Sequence, residues 1–314
     1  MAERRVYYGG QAVLEGVMIR GPRTVSIACR RPDGEIVVRN EALGGLYAGL
    51  LRRLPLVRGV VVMWETLALG MRALVFSSNV ALGEEEQKGL ESGAIWITAM
   101  ASIAVVAGLF FVAPILLAGF LEDIFGSDLI VVLVEGVVRL ALIVGYIGLI
   151  GLFPDVKRVY AYHGAEHKSI HALEHGDPLE PAFVQRYSTA HVRCGTSFLL
   201  TVVVVSVIVF ALVGNPELWL RIFSRIILIP VIASLAYEMI RLGGAFESSP
   251  ITRALMWPNL ALQSLTTRQP DDAQVEVALR ALKEVLAAEE ELETVAPEAA
   301  AEAEAEIEAA PPLD

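Results

Sequence analysis

The histidines are the residues of this chain best suited to binding a metal ion, and all five lie between positions 163 and 191. The first four recur at every fourth position of the segment YHGAEHKSIHALEHG, and the fifth is His191. On an α-helix a step of four residues turns the chain by about 400°, so successive histidines lie within about 40° of one another on one face. The spacing therefore predicts that His163 and His167 direct their imidazoles toward one ion.

Residues 163–167 spell His-x-x-Glu-His, the inverse of a common zinc-protease pattern. Neutral imidazole is a good ligand for zinc, and a nearby carboxylate can accept a proton from metal-bound water at about neutral pH. We therefore predict that His163 and His167 bind a divalent cation of the zinc type and that Glu166 is the general base.

A catalytic zinc ion needs a third protein ligand, and several downstream residues qualify. His191 is the first choice, and Glu238, near the inner end of an apolar segment, is the second. Glu174 lies on the correct helical face but about 10 Å beyond His167 along the axis. Cys194 would suit a structural site better.

The outer histidines of the series are weaker candidates. His171 lies about 12 Å from His163 along a helix axis, too far to share an ion with it easily, and His175 lies one turn farther. A row of histidines on a surface helix also fits amphipathic or pH-sensitive side chains without any metal. That alternative stays open from the sequence alone.

The composition indicates a membrane protein. Hydrophobic residues make up 55% of the 314 positions, charged residues 19%, and the mean hydropathy is +0.56, so lipid must cover part of the apolar surface. The net charge of −11 comes from the end of the chain, where eleven acids and no base follow position 283. Without that tail 25 acids balance 25 bases. The acidity therefore argues neither for nor against nucleic acid, and no nucleic-acid partner is expected.

Four segments are long and apolar enough to cross a bilayer. They are Gly93–Leu121, Leu129–Phe153, Ser197–Val213 and Leu218–Ile240. The short connections 122–128 and 214–217 carry no lysine or arginine, whereas the other connections and the flanking segments carry almost all of them. The positive-inside rule therefore predicts a multi-pass protein of the inner or plasma membrane with both termini in the cytosol.

The predicted fold class is mainly α: a polytopic membrane protein with about four transmembrane helices and a small N-terminal β-containing cytosolic segment. Its expected parts are that segment (1–53), an interfacial or amphipathic helix (54–92), the first two spans (93–153), a cytosolic histidine-rich loop (154–196), the last two spans (197–242), a cytosolic segment with an amphipathic helix (243–286) and a disordered Ala/Glu tail (287–314).

Local patterns support these parts. Thr24–Arg31 and Ile36–Arg39 alternate apolar and polar residues around a Pro-Asp-Gly turn, which predicts a β-hairpin. Cys29 fits that strand as a small apolar residue, and cytosolic thiols stay reduced. The glycines of 9–16 lack the Gly-Lys-Ser/Thr ending of a phosphate loop, so tight turns are expected there. Asp271 and Asp272 are expected to cap the amphipathic helix.

Charged residues in the apolar segments have structural interpretations. Arg58, Glu65 and Arg72 recur every seventh residue, which favours a solvated helix face at the interface. Two further pairs lie inside predicted spans. Glu135 and Arg139, one turn apart, are expected to form an internal ion pair, and Arg221 and Arg225 to extend toward the interface.

Five motifs resemble one known family. They are GGQAVLEGVMIRGP (9–22), LVRGVVVMWETLALGMRAL (56–74), YHGAEHKSIHALE (162–174), HVRCGTSFL (191–199) and LTTRQPDDAQVEVAL (265–279). The chain resembles the YqhQ-like family of uncharacterised bacterial membrane proteins, some of which carry the label of predicted metal-dependent enzymes. The resemblance implies membrane residence and a core motif made of His163, Glu166, His167, His191, Arg193 and Cys194. Val192 stands where the family usually has proline, which removes no ligand, and the family supplies no reaction.

The function predicted from these residues is a metal-dependent membrane enzyme, with its site at the cytosolic face, that hydrolyses a peptide or lipid-linked substrate. Arg193 would stabilise developing negative charge. The alternative is a non-catalytic scaffold, metal sensor or transporter subunit with a structural metal site or none. Three protein ligands with an open fourth position favour the enzyme, whereas four ligands including Cys194 favour the structural site.

Overall fold

The computed structural model describes residues 8–44, 54–86, 92–120, 124, 127–191, 194–214, 216–246 and 249–309. These residues are mainly helical, with one small antiparallel sheet near the N-terminus. The helices are α1 (Val57–Glu86), α2 (Ser92–Ala107), α3 (Ala113–Phe120), α4 (Asp128–Ile150), α5 (Pro154–His175), α6 (Pro181–Val184), α7 (Thr196–Val213), α8 (Leu218–Ile227), α9 (Ile229–Ala245), α10 (Pro250–Thr266) and α11 (Asp272–Ala309). A π-helical turn, Gly108–Val112, joins α2 to α3.

The sheet contains four strands in the order β1-β2-β3-β4, with each neighbouring pair antiparallel. Their bounds are Gly9–Val13, Gly16–Arg20, Thr24–Arg30 and Ile36–Ala42. The predicted hairpin is confirmed as β3 and β4, and its turn contains Gly34 with a φ of +93°. The glycine-rich start forms two strands that the sequence analysis did not predict. Gly16 is required there, because a Cβ atom would lie 2.2 Å from the carbonyl oxygen of Ala28.

Each face of the sheet is covered by helices. Val17, Ile19 and Ala28 pack on one face against α5 and α11, in the largest buried apolar cluster of the described residues. Residues of β1, β2 and β3, including Cys29, pack on the other face against Leu69 of α1. The sheet therefore holds α5, the histidine helix, against α11.

Three helical stretches are long and apolar enough to cross a membrane, judged by length and composition: Val57–Leu82, Met100–Phe120 and Asp128–Ile150. Leu218–Ile227 and Ile229–Gly243 together make a fourth candidate, and Phe198–Val213 is a shorter apolar helix. Four of these five elements fall in the four predicted spans. They are compatible with a membrane protein.

The predicted last span is not straight. It bends by 47° between α8 and α9, at Leu228. Pro230 lies in the first turn of α9 and offers no backbone N–H, so an uninterrupted helix would lose a hydrogen bond and meet a steric clash there. Arg221 and Arg225 of α8 are buried, which contradicts the expectation that they extend to the interface.

A solvated face had been expected for Arg58, Glu65 and Arg72, but all three form ion pairs with other elements and only Arg72 is exposed. Arg58 donates from Nε to Oε1 of Glu238 in α9 at 2.6 Å. One and two heptads later, Glu65 is buried beside Arg20 of the sheet and Arg72 pairs with Glu41. The seven-residue repeat thus marks the side of α1 that faces α9 and the sheet.

The C-terminal helix begins as predicted. Asp271 accepts a hydrogen bond from the backbone N–H of Gln274 at 2.8 Å, and the side chain of Gln274 accepts one from the N–H of Asp271 at 3.0 Å, so the two residues form a reciprocal cap. The helix then continues to Ala309, where disorder had been expected. The high intrinsic helix propensity of alanine and glutamate accounts for this difference.

Candidate metal centre

Helix α5 carries most of the predicted site, and its ends are determined by local sequence. Pro154 occupies the first turn, where its missing N–H costs nothing, and Gly176 ends the helix with a φ of +71°. The middle of the helix is buried although its mean composition is polar. Polar side chains buried there must find partners within the protein.

Two other segments approach α5 closely. A Cβ atom on Gly164 would lie 2.1 Å from the carbonyl oxygen of Arg268, so glycine lets the chain that follows α10 touch the helix. Lys168 is buried and donates from Nζ to the carbonyl oxygen of Gln185 at 2.8 Å, which holds the 177–191 loop against α5. Burial lowers the pKa of Lys168. This lysine could not be predicted as part of the site, because nothing in the sequence shows that it is buried.

His163, His167 and Cys194 converge on one point. One potential ligand atom from each lies within 4.8 Å of the others. Nε2 of His163 is 3.2 Å from the Cys194 sulfur, and the ring centroids of the two histidines are 4.4 Å apart. Two imidazoles and a thiol form a donor set that suits zinc.

The backbone orients both rings. Nδ1 of His163 donates to the carbonyl oxygen of Thr266 at 2.9 Å, and Nδ1 of His167 donates to that of Thr189 at 2.5 Å. A carbonyl only accepts, so in each neutral ring the proton is on Nδ1 and the lone pair is on Nε2. Nε2 of His167 is buried and has no hydrogen-bond partner within the described part of the chain. Metal-binding histidines are commonly oriented in this way.

His191, the preferred third ligand, lies beside a different set of residues. Its Nε2 is 3.3 Å from a carboxylate oxygen of Glu174, and its ring centroid is 4.5 Å from that of His171 but 5.8 Å from that of His167. His171, Glu174 and His191 form a second group whose potential ligand atoms lie within 4.8 Å of one another.

The remaining predicted residues are also separated from the first group. Glu238 pairs with Arg58 where α1 meets α9, so its carboxylate is already engaged elsewhere. Arg193 and Val192 lie outside the described residues. The structure therefore brings together His163, His167 and the alternate ligand Cys194, and it places His191 with the alternate Glu174.

Glu166 lies on the side of α5 that faces the sheet. The backbone N–H of Gly10 in β1 donates to its carboxylate, and its Oε2 is buried without a hydrogen-bond partner among the described residues. Burial raises the pKa of Glu166, and the nearby His163 opposes that rise. A raised pKa brings a carboxyl group closer to the range in which it exchanges protons near neutral pH.

His171 was expected to be a weak candidate, but it belongs to the second group of potential metal ligands. The spacing of His171 and Glu174, three residues apart, already places them on one helical face. The missing information was the path of the 177–191 loop, which returns His191 to that face. No local pattern encodes such a return.

The comparisons with known proteins now decide the family. A family model described as "Protein of unknown function (DUF1385)" matches residues 54–288. This chain belongs to the DUF1385 family. "Uncharacterized protein YqhQ" of Bacillus subtilis (strain 168) is 37% identical over 294 residues, which cover 89% of this chain and 92% of that protein. No solved structure matches significantly.

These relatives confirm the YqhQ-like resemblance. Neither description names a reaction, a metal or a substrate. Membership of the DUF1385 family therefore does not support the label of metal-dependent enzyme.

Proposed function

We propose that this DUF1385 protein binds a divalent cation of the zinc type through His163, His167 and Cys194 and hydrolyses a peptide or lipid-linked substrate at the cytosolic face of the membrane. The convergence of these three ligand atoms within 4.8 Å carries the proposal. Both imidazoles present a lone pair to the same point, because their other nitrogens are engaged by backbone carbonyls. A three-ligand site leaves a fourth position for water or substrate, as catalytic zinc sites do.

A zinc ion bound there would polarise a substrate carbonyl and lower the pKa of water. The protein contributes orientation and a proton acceptor. His163 and His167 are held by α10 and by the 177–191 loop, so each ring is fixed before any ligand arrives. Glu166 interacts electrostatically with His163, and its raised pKa suits it to hold and release a proton at its carboxylate.

The position in the membrane is part of the proposal. Charged and polar groups of the sheet contact one side of α1, whereas Trp64, Leu67 and Met71 on another side are at least 61% exposed. A helix with a protein-covered polar side and an exposed apolar side suits the bilayer surface better than a complete span. With α1 at the interface, the other apolar helices make four spans, and both termini lie in the cytosol.

A non-catalytic metal site is the second candidate. Cys194 belongs to the converging set, and thiolate ligands are typical of structural zinc sites. The carboxylate of Glu166 is also held by Gly10 of the sheet, which favours a structural role for this glutamate. In this alternative, the ion would tie α5 to the segment that precedes α7.

Metal analysis of the purified full-length protein tests the binding site. We expect bound zinc in the parent protein, and one ion fewer in the His163→Ala, His167→Ala double variant. His175→Ala is the matched control, because that ring lies on the same helix but outside both ligand groups. Equal zinc content in the parent and the double variant would refute the proposal.

X-ray absorption at the zinc edge separates the two candidates. An enzyme site should show two nitrogen ligands, one sulfur and one oxygen from water. A fourth protein ligand would support the structural alternative.

Reporter fusions test the proposed topology. A reporter fused after Asp314 should be cytosolic, and one inserted in 122–128 should be external. The reverse result would overturn the orientation.

A further inference from the structure

A second group of potential metal ligands, made of His171, Glu174 and His191, contains no residue of the first group. Its three potential ligand atoms lie within 4.8 Å of one another, as do those of His163, His167 and Cys194. The two groups are neighbours along α5, with the rings of His167 and His191 5.8 Å apart between centroids. They share no residue.

Backbone and aromatic contacts fix the first ring of this second group. Nε2 of His171 donates to the carbonyl oxygen of Ala190 at 2.9 Å, so the lone pair of the neutral ring is on Nδ1. Tyr187 stacks on the same ring, with centroids 5.8 Å apart and planes 8° from parallel. The hydroxyl of Tyr187 in turn donates to Asp177 at 2.6 Å. The ring is therefore held before any ligand binds.

The position of His191 is fixed through its backbone. Gln263 of α10 accepts from its N–H at 2.9 Å and donates to its carbonyl oxygen at 2.8 Å. Gln263 is fully buried, so water does not compete for these two bonds. The side chain of His191 directs Nε2 toward Glu174, at 3.3 Å from its carboxylate.

We infer that His171, Glu174 and His191 bind a second divalent cation next to the first. Two imidazoles and one carboxylate form the donor set of several catalytic zinc sites and of non-haem iron(II) sites. The carboxylate is a harder ligand than the Cys194 thiolate, so the two positions differ in the ions they prefer. The inference does not depend on the proposed hydrolytic function, since each position has its own ligands.

A cobalt(II) titration of the purified full-length protein tests the inference, because cobalt bound to a thiolate gives a charge-transfer absorption that imidazole and carboxylate ligands do not give. We expect two ions per chain. Glu174→Gln, which keeps the shape of the side chain, should bind one ion and retain the thiolate absorption. His171→Ala should do the same, whereas Cys194→Ser should bind one ion and lose that absorption.

Each possible result separates the two sites. His175→Ala, the matched control, should keep both ions. One ion in the parent protein, with full thiolate absorption and no change in Glu174→Gln, would overturn the second site and leave the first intact. One ion that Glu174→Gln removes and Cys194→Ser retains would support the second site and refute the proposed first one. A folded, detergent-purified parent protein that binds no cobalt would refute both.

Discussion

Two buried polar clusters of this protein differ in how their hydrogen-bonding groups are satisfied. Between α4 and α8, one oxygen of Glu135 accepts from Arg139 at 2.7 Å and the other accepts from Arg225 at 3.1 Å. The guanidinium of Arg225 also lies 4.1 Å from the ring centroid of Phe210. The Glu135 cluster therefore satisfies its own carboxylate.

In the histidine clusters on α5, the ring nitrogens that face backbone carbonyls are hydrogen-bonded, whereas Nε2 of His167, on the ligand side, is not. His163, His167 and His171 each donate one ring N–H to a backbone carbonyl. Nε2 of His163 lies 3.2 Å from the Cys194 sulfur, and Nε2 of His167 is buried without a hydrogen bond in the described part of the chain. An unmet buried acceptor costs about 1–3 kcal/mol, which a bound ligand can recover. A buried cluster whose groups are all paired fits a structural role, whereas one with an unmet acceptor fits a binding site.

The largest effect should come from Glu135→Gln, which leaves two buried arginines without a full counter-charge. We expect the free energy of unfolding to fall by about 3–5 kcal/mol. Chemical denaturation of the detergent-purified protein measures it. Glu276→Gln, which removes an exposed ion pair with Arg30, is the control and should cost less than about 1 kcal/mol. Equal losses would contradict the structural interpretation of the Glu135 cluster.

Zinc should raise the free energy of unfolding by binding at the histidine site, and this effect should not depend on the Glu135 cluster. At a free zinc concentration of about 100 times Kd, one site adds about 2.7 kcal/mol to the free energy of unfolding. The His163→Ala, His167→Ala variant should lose the increment of the first site, whereas Glu135→Gln should keep it. Chemical denaturation of each variant, once with zinc and once with a chelator, measures the increment. An increment in the double variant as large as that in the parent would argue against the first site.

Gln263→Leu should have an intermediate effect, because it breaks both hydrogen bonds to the backbone of His191. We expect a loss of about 1–3 kcal/mol in the free energy of unfolding, from the desolvated backbone groups left unpaired. The Gln269→Leu control removes a hydrogen bond between exposed side chains and should change stability little. If both variants unfold at the same denaturant concentration, the claim that Gln263 positions His191 is wrong.

Glu166→Gln should have an effect that is visible only as a pH dependence. Burial raises the pKa of Glu166 above its usual value of 4.5, so its contribution to stability is present below pH 4.5 and is lost as the pH rises toward the folded-state pKa. Relative to the parent, the variant should gain about 1.4 kcal/mol per unit of pKa shift across that window. Thermal unfolding at several pH values measures the difference.

Glu15→Gln is the control, because its effect on stability should have the opposite pH dependence. The hydrogen bond from Arg158 lowers the pKa of Glu15, so the stability that this group supplies is present above pH 4.5 and is lost as the pH falls below it. The same pH trend in both variants would show that the environment of Glu166 has been misassigned.

Much of the fold could be predicted from local sequence. The β3–β4 hairpin followed from alternation around a Pro-Asp-Gly turn, and the start of α11 followed from Asp271. The strands β1 and β2 could not be predicted in the same way. Their glycines are typical of turns, and only the close approach of Gly16 to Ala28 explains glycine within a strand.

Local sequence also predicts only part of the two groups of potential metal ligands. By itself the sequence determined that His163 and His167 share a helical face, because four residues nearly complete one turn of a helix. It also determined that Glu135 and Arg139, one turn apart, would pair. Only the tertiary structure decided that Cys194 joins the first histidines and that His191 joins His171. Those contacts depend on how the 177–191 loop and α10 pack against α5, and packing between distant segments leaves no periodic signal in the chain.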